Sequence, residues 1–123
     1  PESLIKAVEA RSTGWPKGTL HVERFRPKDV AEAELRSFEV ELVRSGMTLV
    51  VQPTGSILDV VEAAGVEVRC SCREGTCGMC ETRVLAGIIE HRDSWLTDQE
   101  QASGALMMIC VSRAAGSSLV LDL

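Results

Sequence analysis

Four of the five cysteines stand at a spacing that few cysteine chemistries use. Cys72, Cys77 and Cys80 read C-x4-C-x2-C, and Cys110 lies far downstream. Three thiolates in one short loop with a fourth from a distant segment is an arrangement that holds a [2Fe–2S] core, two irons bridged by two sulfides. A short loop wraps three sides of such a core only by bending its backbone sharply. Gly75 and Gly78 permit that bend: glycine reaches positive φ without a Cβ clash and lets peptide N–H groups approach the sulfurs. Arg73, Glu74, Thr76 and Met79 are expected to ring the exposed side. Cys110, inside the apolar run Leu106-Met-Met-Ile-Cys-Val111, is expected on a strand or strand edge. The expected role is that of a one-electron carrier.

Other cysteine chemistries fit less well. A structural zinc site, as part of an interaction domain, is the alternative, but it usually takes its four cysteines as two separated C-x2-C pairs. The three-plus-one grouping with paired glycines suits a binuclear core better. Cys77-Gly-Met-Cys80 has the C-x-x-C form of thiol redox enzymes, yet such a motif opens a helix beside a βαβ unit, and no helix is expected there. A Rieske centre replaces two cysteines with histidines. His21 and His91 are the only histidines, and neither stands at a ligand spacing. His91 reads as a surface or hydrogen-bonding residue, and Met107 and Met108 as core. Met79, lying between two ligands, reads either as an ordinary exposed loop residue or as part of an apolar docking rim. Cys70, the fifth cysteine, has no place in the pattern and reads as a bystander thiol.

Composition excludes some partners and compartments. At 123 residues and 45% hydrophobic content the chain suits one domain with at most an appendage. The formal charge of −5 points away from nucleic acid and toward a partner with positive groups around its docking site, although it also serves plain solubility. No apolar run approaches the roughly 18 residues of a membrane helix, and no signal-peptide pattern opens the chain. An odd number of cysteines at metal-like spacing, with no export signal, implies a reducing compartment, by default the cytoplasm.

Taken in order, Leu4, Ile5 and Val8 recur at helical spacing after Pro1, and Gly14-Trp-Pro-Lys-Gly18 breaks that helix. Thr19–Phe25 alternates like a short strand. Residues 26–37 are charged and weakly patterned, a linker with a helical turn near Val30 to Leu35. From Phe38 the pattern turns β: Phe38, Val40 and Leu42 alternate with Glu39 and Glu41, and Arg44-Ser-Gly46 returns the chain as Met47–Gln52, a hairpin. Ser56 and Asp59 form a capping pair for a helix whose face is Ile57, Val60, Val61 and Ala64 and which Gly65 stops. After the cysteine loop come a strand at Glu81–Ala86 ended by Gly87, short turns with a capped helical turn at Leu96–Glu100, the Cys110 segment, and a final strand through Leu119, Leu121 and Leu123.

The motif Cys72-x-x-Gly75-x-Cys77-Gly78-x-Cys80 with Cys110 resembles the cluster loop of plant-type [2Fe–2S] ferredoxins. More closely, it is similar to the C-terminal ferredoxin domain of phthalate dioxygenase reductase-type proteins, a reductase module also fused to some self-sufficient cytochrome P450 monooxygenases. The resemblance covers roughly residues 38–123. It implies an α+β chain of β-grasp architecture, a mixed sheet curling around one main helix, with Cys72, Cys77, Cys80 and Cys110 as cluster ligands. It implies an FMN-containing, NAD(P)H-dependent reductase domain as electron donor and an oxygenase, a P450 haem or a Rieske centre, as acceptor. Residues 1–25 resemble the last helix and strand of the NAD-binding domain of those reductases, which makes the chain a fragment cut just inside that domain; Phe25 inherits a place near the flavin or is an ordinary buried strand residue. The glycine motifs that cradle nucleotide phosphates are absent, so FMN and NAD(P)H are expected in other parts of the full-length protein, with haem there in the P450-fused case, and no substrate site of its own is expected.

Overall fold

In the computed structural model, which describes residues 2–22 and 36–123, Glu2–Arg11 form helix α1 as the apolar spacing predicts. Its apolar side is not taken into the core: Leu4 is 59% and Val8 39% exposed, and Trp15 beyond it 54%. The strand expected at Thr19–Phe25 is not formed at Thr19–Val22, and its remainder, with Phe25 and the turn expected near Val30 to Leu35, lies outside the described residues. The physical reason is pairing: alternation makes a strand only where a neighbour takes its backbone groups, and every position of the sheet among the described residues is filled from Phe38 onward.

The period-two alternation produces strand β1 (Phe38–Leu42), with Phe38, Val40 and Leu42 buried and the glutamates in solvent. Gly46, at φ +65°, turns the chain into β2 (Met47–Val51), antiparallel to β1 with Phe38 opposite Val51. Helix α2 (Ile57–Ala63) begins with a capping box in which the Asp59 N–H donates to Ser56 Oγ (3.0 Å) and the Ser56 N–H to Asp59 Oδ2 (3.4 Å). It ends as Gly65 turns left-handed at φ +83°, with the Val66 N–H bonded to the Val61 carbonyl and the Gly65 N–H to that of Glu62, a Schellman closure. The buried face is Ile57, Leu58 and Val61, whereas Val60 and Ala64 are only half-buried. Leu58 displaces them because its N–H bonds to the Ile109 carbonyl (3.0 Å), which presses the first turn of the helix onto the segment before Cys110.

The rest of the chain closes the sheet. It adds β3 (Glu81–Ala86), β4 (Ile89–Glu90), the capped helix α3 (Asp98–Ser103), β5 (Leu106–Met108), β6 (Arg113–Ala114) and β7 (Ser118–Leu121). The strand order is β2-β1-β7-β3-β5, with β1 and β7 parallel and the other pairs antiparallel, so the chain is α+β with a mixed sheet against α2. The pair β4–β6, two residues each, is too short to leave a periodic signal. Met107 and Met108 are fully buried, as expected of core residues. Arg113 is buried as well: its guanidinium donates to the carbonyls of Gly55, Gln52 and Arg36 and lies 4.9 Å from the Phe38 ring centroid, so it fastens the loop before α2 to the sheet.

Candidate metal centre

Between α2 and β3 the chain makes no regular element, and beyond Gly65 its shape is set by three residues at positive φ: Arg73 (56°), Gly75 (73°) and Gly78 (74°). These turns aim backbone donors at sulfur. Cys72 Sγ accepts the N–H groups of Glu74 (3.3 Å) and Thr76 (3.4 Å), and Cys77 Sγ that of Met79 (3.5 Å). Burial pushes the Cys72 thiol up, but the Thr76 hydroxyl, the two peptide N–H groups and the Cys77 thiol together bring it down to about 6. A hydrogen bond with the Cys110 thiol brings Cys80 down to about 7 against its burial. The same bond, with burial and the charge of Cys80, drives Cys110 up, while the Gly75 N–H works in the opposite direction.

Cys72 thus interacts with Cys77 and Cys80 with Cys110, and the charge of Cys72 acts on Cys80 and Cys110 as well. Among the described residues no group of three or more His, Cys, Asp or Glu gathers around one ion position. Two pairs of thiolates, one pair for each of two irons, is what a binuclear core takes, and the donor set fits it. Cys110 is not within a strand, the first of the two places expected for it, but just past the end of one. It sits in the turn after β5, where the N–H groups of Val111 (3.3 Å) and Ser112 (3.0 Å) both bond to the Met108 carbonyl. A strand would point alternate side chains to opposite faces; the turn swings Cys110 back over the loop.

Cys70 stands outside the pairs. Its thiol donates to Glu62 Oε1 (3.4 Å), and that bond, followed by burial, raises its pKa and keeps it neutral. Arg73, expected on the exposed side of the loop, is exposed but not free. It donates to both oxygens of Glu62 (2.9 and 2.8 Å) and to Asp59 Oδ1 (3.3 Å), tying the loop to α2.

Sequence reasoning missed the segment that backs the loop. Asp93 is fully buried, and its carboxylate accepts the Leu96 N–H (2.8 Å) and the Ser112 hydroxyl (3.3 Å). A Cβ on Gly75 would stand 2.6 Å from Val111 Cγ2 and 3.0 Å from Asp93 Cα, and one on Gly78 would stand 2.6 Å from Trp95 Nε1. The glycines thus serve close packing as well as the bend. An Asp followed three residues on by an N–H it can accept is a local side-chain-to-backbone signal that could have revealed this turn. His91 is neither surface nor hydrogen-bonded: its side chain is 11% exposed and its ring nitrogens have no hydrogen-bond partner, with Nδ1 3.5 Å from Asp93 Oδ1.

Comparison with known proteins places this geometry. The family described as 2Fe-2S iron-sulfur cluster binding domain matches residues 40–115. Phenoxybenzoate dioxygenase subunit beta of Ectopseudomonas oleovorans is 44% identical over 123 residues, covering all of this chain and 38% of that protein. An intact type IV self-sufficient cytochrome P450 monooxygenase is similar in structure at a TM-score of 0.88 and 40% identity, over 100% of this chain and 16% of that one. Phthalate dioxygenase reductase, described as a modular structure for electron transfer from pyridine nucleotides to [2Fe-2S], is similar at a TM-score of 0.81 and 41% identity, over 100% and 38%. This chain thus spans well under half of each of these proteins.

Proposed function

The chain belongs to the 2Fe-2S iron-sulfur cluster binding domain family, and we propose that it transfers single electrons on a cluster held by Cys72, Cys77, Cys80 and Cys110. The donor is the FMN of an NAD(P)H-dependent reductase domain, and the acceptor is a terminal oxygenase, through a P450 haem or a Rieske centre. The observation that supports this reading is the loop whose peptide N–H groups are directed at the sulfurs of Cys72 and Cys77, with Cys80 in the same loop interacting with the distant Cys110. When bound, the cluster takes up and releases one electron without making or breaking substrate bonds. The residues do the rest. The N–H groups of Glu74, Thr76 and Met79 stabilise negative charge on the sulfurs, and the turn at Asp93 packs against the loop at Gly75.

The full protein, in this reading, places residues 1–25 at the end of a nucleotide-binding domain, 26–37 as linker and 38–123 as the cluster unit. Support comes from the core, whose buried apolar residues among the described residues all lie from Phe38 onward, and from the exposed apolar side of α1. A cytoplasmic setting is supported by five free cysteines, none in a disulfide. No helix among the described residues is long and apolar enough to cross a membrane. The zinc alternative loses its ground, since the family matched is an iron–sulfur one.

An absorption spectrum before and after dithionite, followed by electron paramagnetic resonance of the reduced sample, tests the reading. Visible bands that bleach and a rhombic signal from one unpaired spin are expected. Alanine at Cys72, Cys77, Cys80 or Cys110 is expected to abolish or badly weaken cluster assembly, and alanine at Cys70 to leave it intact. A colourless protein with stoichiometric zinc would overturn the proposal, and loss of colour in the Cys70→Ala variant alone would overturn the ligand assignment.

A further inference from the structure

Trp95 is held against the cysteine loop yet remains open to solvent, and the ligand set does not account for it. Buried Asp93 builds the turn that carries it, through its bonds to the Leu96 N–H and the Ser112 hydroxyl. The Ser94 N–H bonds to the Gly75 carbonyl (3.0 Å), so the turn is tied both to the segment after Cys110 and to the loop. The indole fills the space that a Cβ on Gly78 would need, which places the ring against main chain between Cys77 and Cys80. It is nevertheless 52% exposed, and Met79, next along the loop, is 48% exposed. A large aromatic side chain, rigidly backed and wet on one side, has the properties of a docking anchor.

The surroundings say what kind of partner fits. Glu74 and Glu81 are exposed carboxylates on the loop and just beyond it, with no ion-pair partner among the described residues, and Asp98 opens α3 close by in sequence. Arg73 is already paired with Glu62 and Asp59, and Arg92 with Glu90, while Arg83 stands on the same face of β3 as Glu81. The exposed apolar pair is thus flanked along the chain by exposed carboxylates, in a chain of formal charge −5. We propose that Trp95, with Met79, forms the face through which the electron leaves, and that it seats a protein acceptor whose iron centre lies beneath an apolar spot ringed by Lys or Arg. The inference rests on the electron-carrier reading above. One electron passes from the reduced cluster to the acceptor's ferric iron, which becomes ferrous; no bond is made or broken and no proton moves.

The probes are cytochrome c, a haem protein with a basic face, and ferricyanide, a small anion. The dithionite-reduced, cluster-loaded chain is mixed with each in a stopped-flow instrument. Trp95→Lys is expected to slow reduction of cytochrome c about tenfold by repulsion and to leave ferricyanide as fast or faster. If the variant slows both acceptors alike, or neither, the exit is not at Trp95. Hydroxyl-radical footprinting of the unaltered chain decides the matter without any variant: cytochrome c is expected to protect Trp95 and Met79 and to spare Trp15, which is 54% exposed and serves as control. Equal protection of both tryptophans, or of neither, overturns the proposal. A chain that never bleaches with dithionite defeats the electron-carrier reading itself, which separates that failure from this one.

Discussion

At Gly78 the backbone runs at φ +74° and the missing Cβ makes room for an indole. Two separable penalties therefore meet in one substitution. Gly78→Ala must adopt a left-handed conformation, at a cost of roughly 1–2 kcal/mol for an L-residue, and it must also displace Trp95. The expected outcome is a lower midpoint for thermal loss of visible colour. Combining it with Trp95→Ala removes only the steric part, so the double variant is expected to lose less than the sum of the two single changes. Strict additivity would show that the ring and the glycine are not in contact. The same scale separates the cysteines. Cys72 gathers donors and is held low, while Cys70, two residues earlier, donates to a carboxylate and is held high. Residue type was identical; the partner decided.

Among the elements, α2 does more than cover the sheet. Asp59 closes its capping box and also receives Arg73, and Glu62, one turn on, receives the same guanidinium through both oxygens. The helix is thereby the anchor of a loop that has no hydrogen-bonded ladder of its own. Hydrogen bonding from Arg73, then from the Cys70 thiol, holds the Glu62 carboxyl below the usual carboxylate range. A carboxyl lowered in the folded state contributes stability that is complete above its ordinary pKa and is lost as pH falls through the lowered value. The clasp is thus expected to be intact at neutral pH and to open only in acid. Carboxyl NMR titration checks this: Arg73→Ala is expected to return Glu62 upward toward the usual range, and an unchanged titration would show that the pair is not formed in solution. Both groups face solvent, so the effect on global stability is small.

For the whole molecule, β7 is the joint. It lies between β1, to which it is parallel, and β3, to which it is antiparallel, and Leu121 stands opposite both Leu42 and Val84. Leu121 is completely buried. Leu121→Ala is expected to lower the free energy of unfolding by about 2–5 kcal/mol, whereas Leu4→Ala on the exposed side of α1 is expected to change it by less than about 0.5 kcal/mol. Chemical denaturation of the two variants checks the contrast. Similar losses would mean that α1 packs on the core in solution. The cluster loop and Cys110 are brought together by this closure of the sheet, so Leu121→Ala is also expected to release the cluster at a lower temperature.

The amino-acid order alone determined the hairpin of β1 and β2, both ends of α2, β3, β7 and the four candidate ligands, because each rests on local chemistry: alternation, a capping pair, a left-handed glycine, a cysteine spacing. Tertiary structure decided what needed a distant partner. It left Thr19–Val22 without a strand, since alternation without a neighbour is not a strand. It put Cys110 in the turn just past the end of a strand rather than within one, and it put Leu58 rather than Val60 in the core, through a backbone bond to Ile109. Asp93 and Trp95 gave no motif, because the residues they serve, Ser112, Gly75 and Gly78, are their neighbours only after folding. A spacing of thiols specifies a site from within one loop; the packing that backs the site and shapes its exposed face comes from segments that meet when the sheet closes.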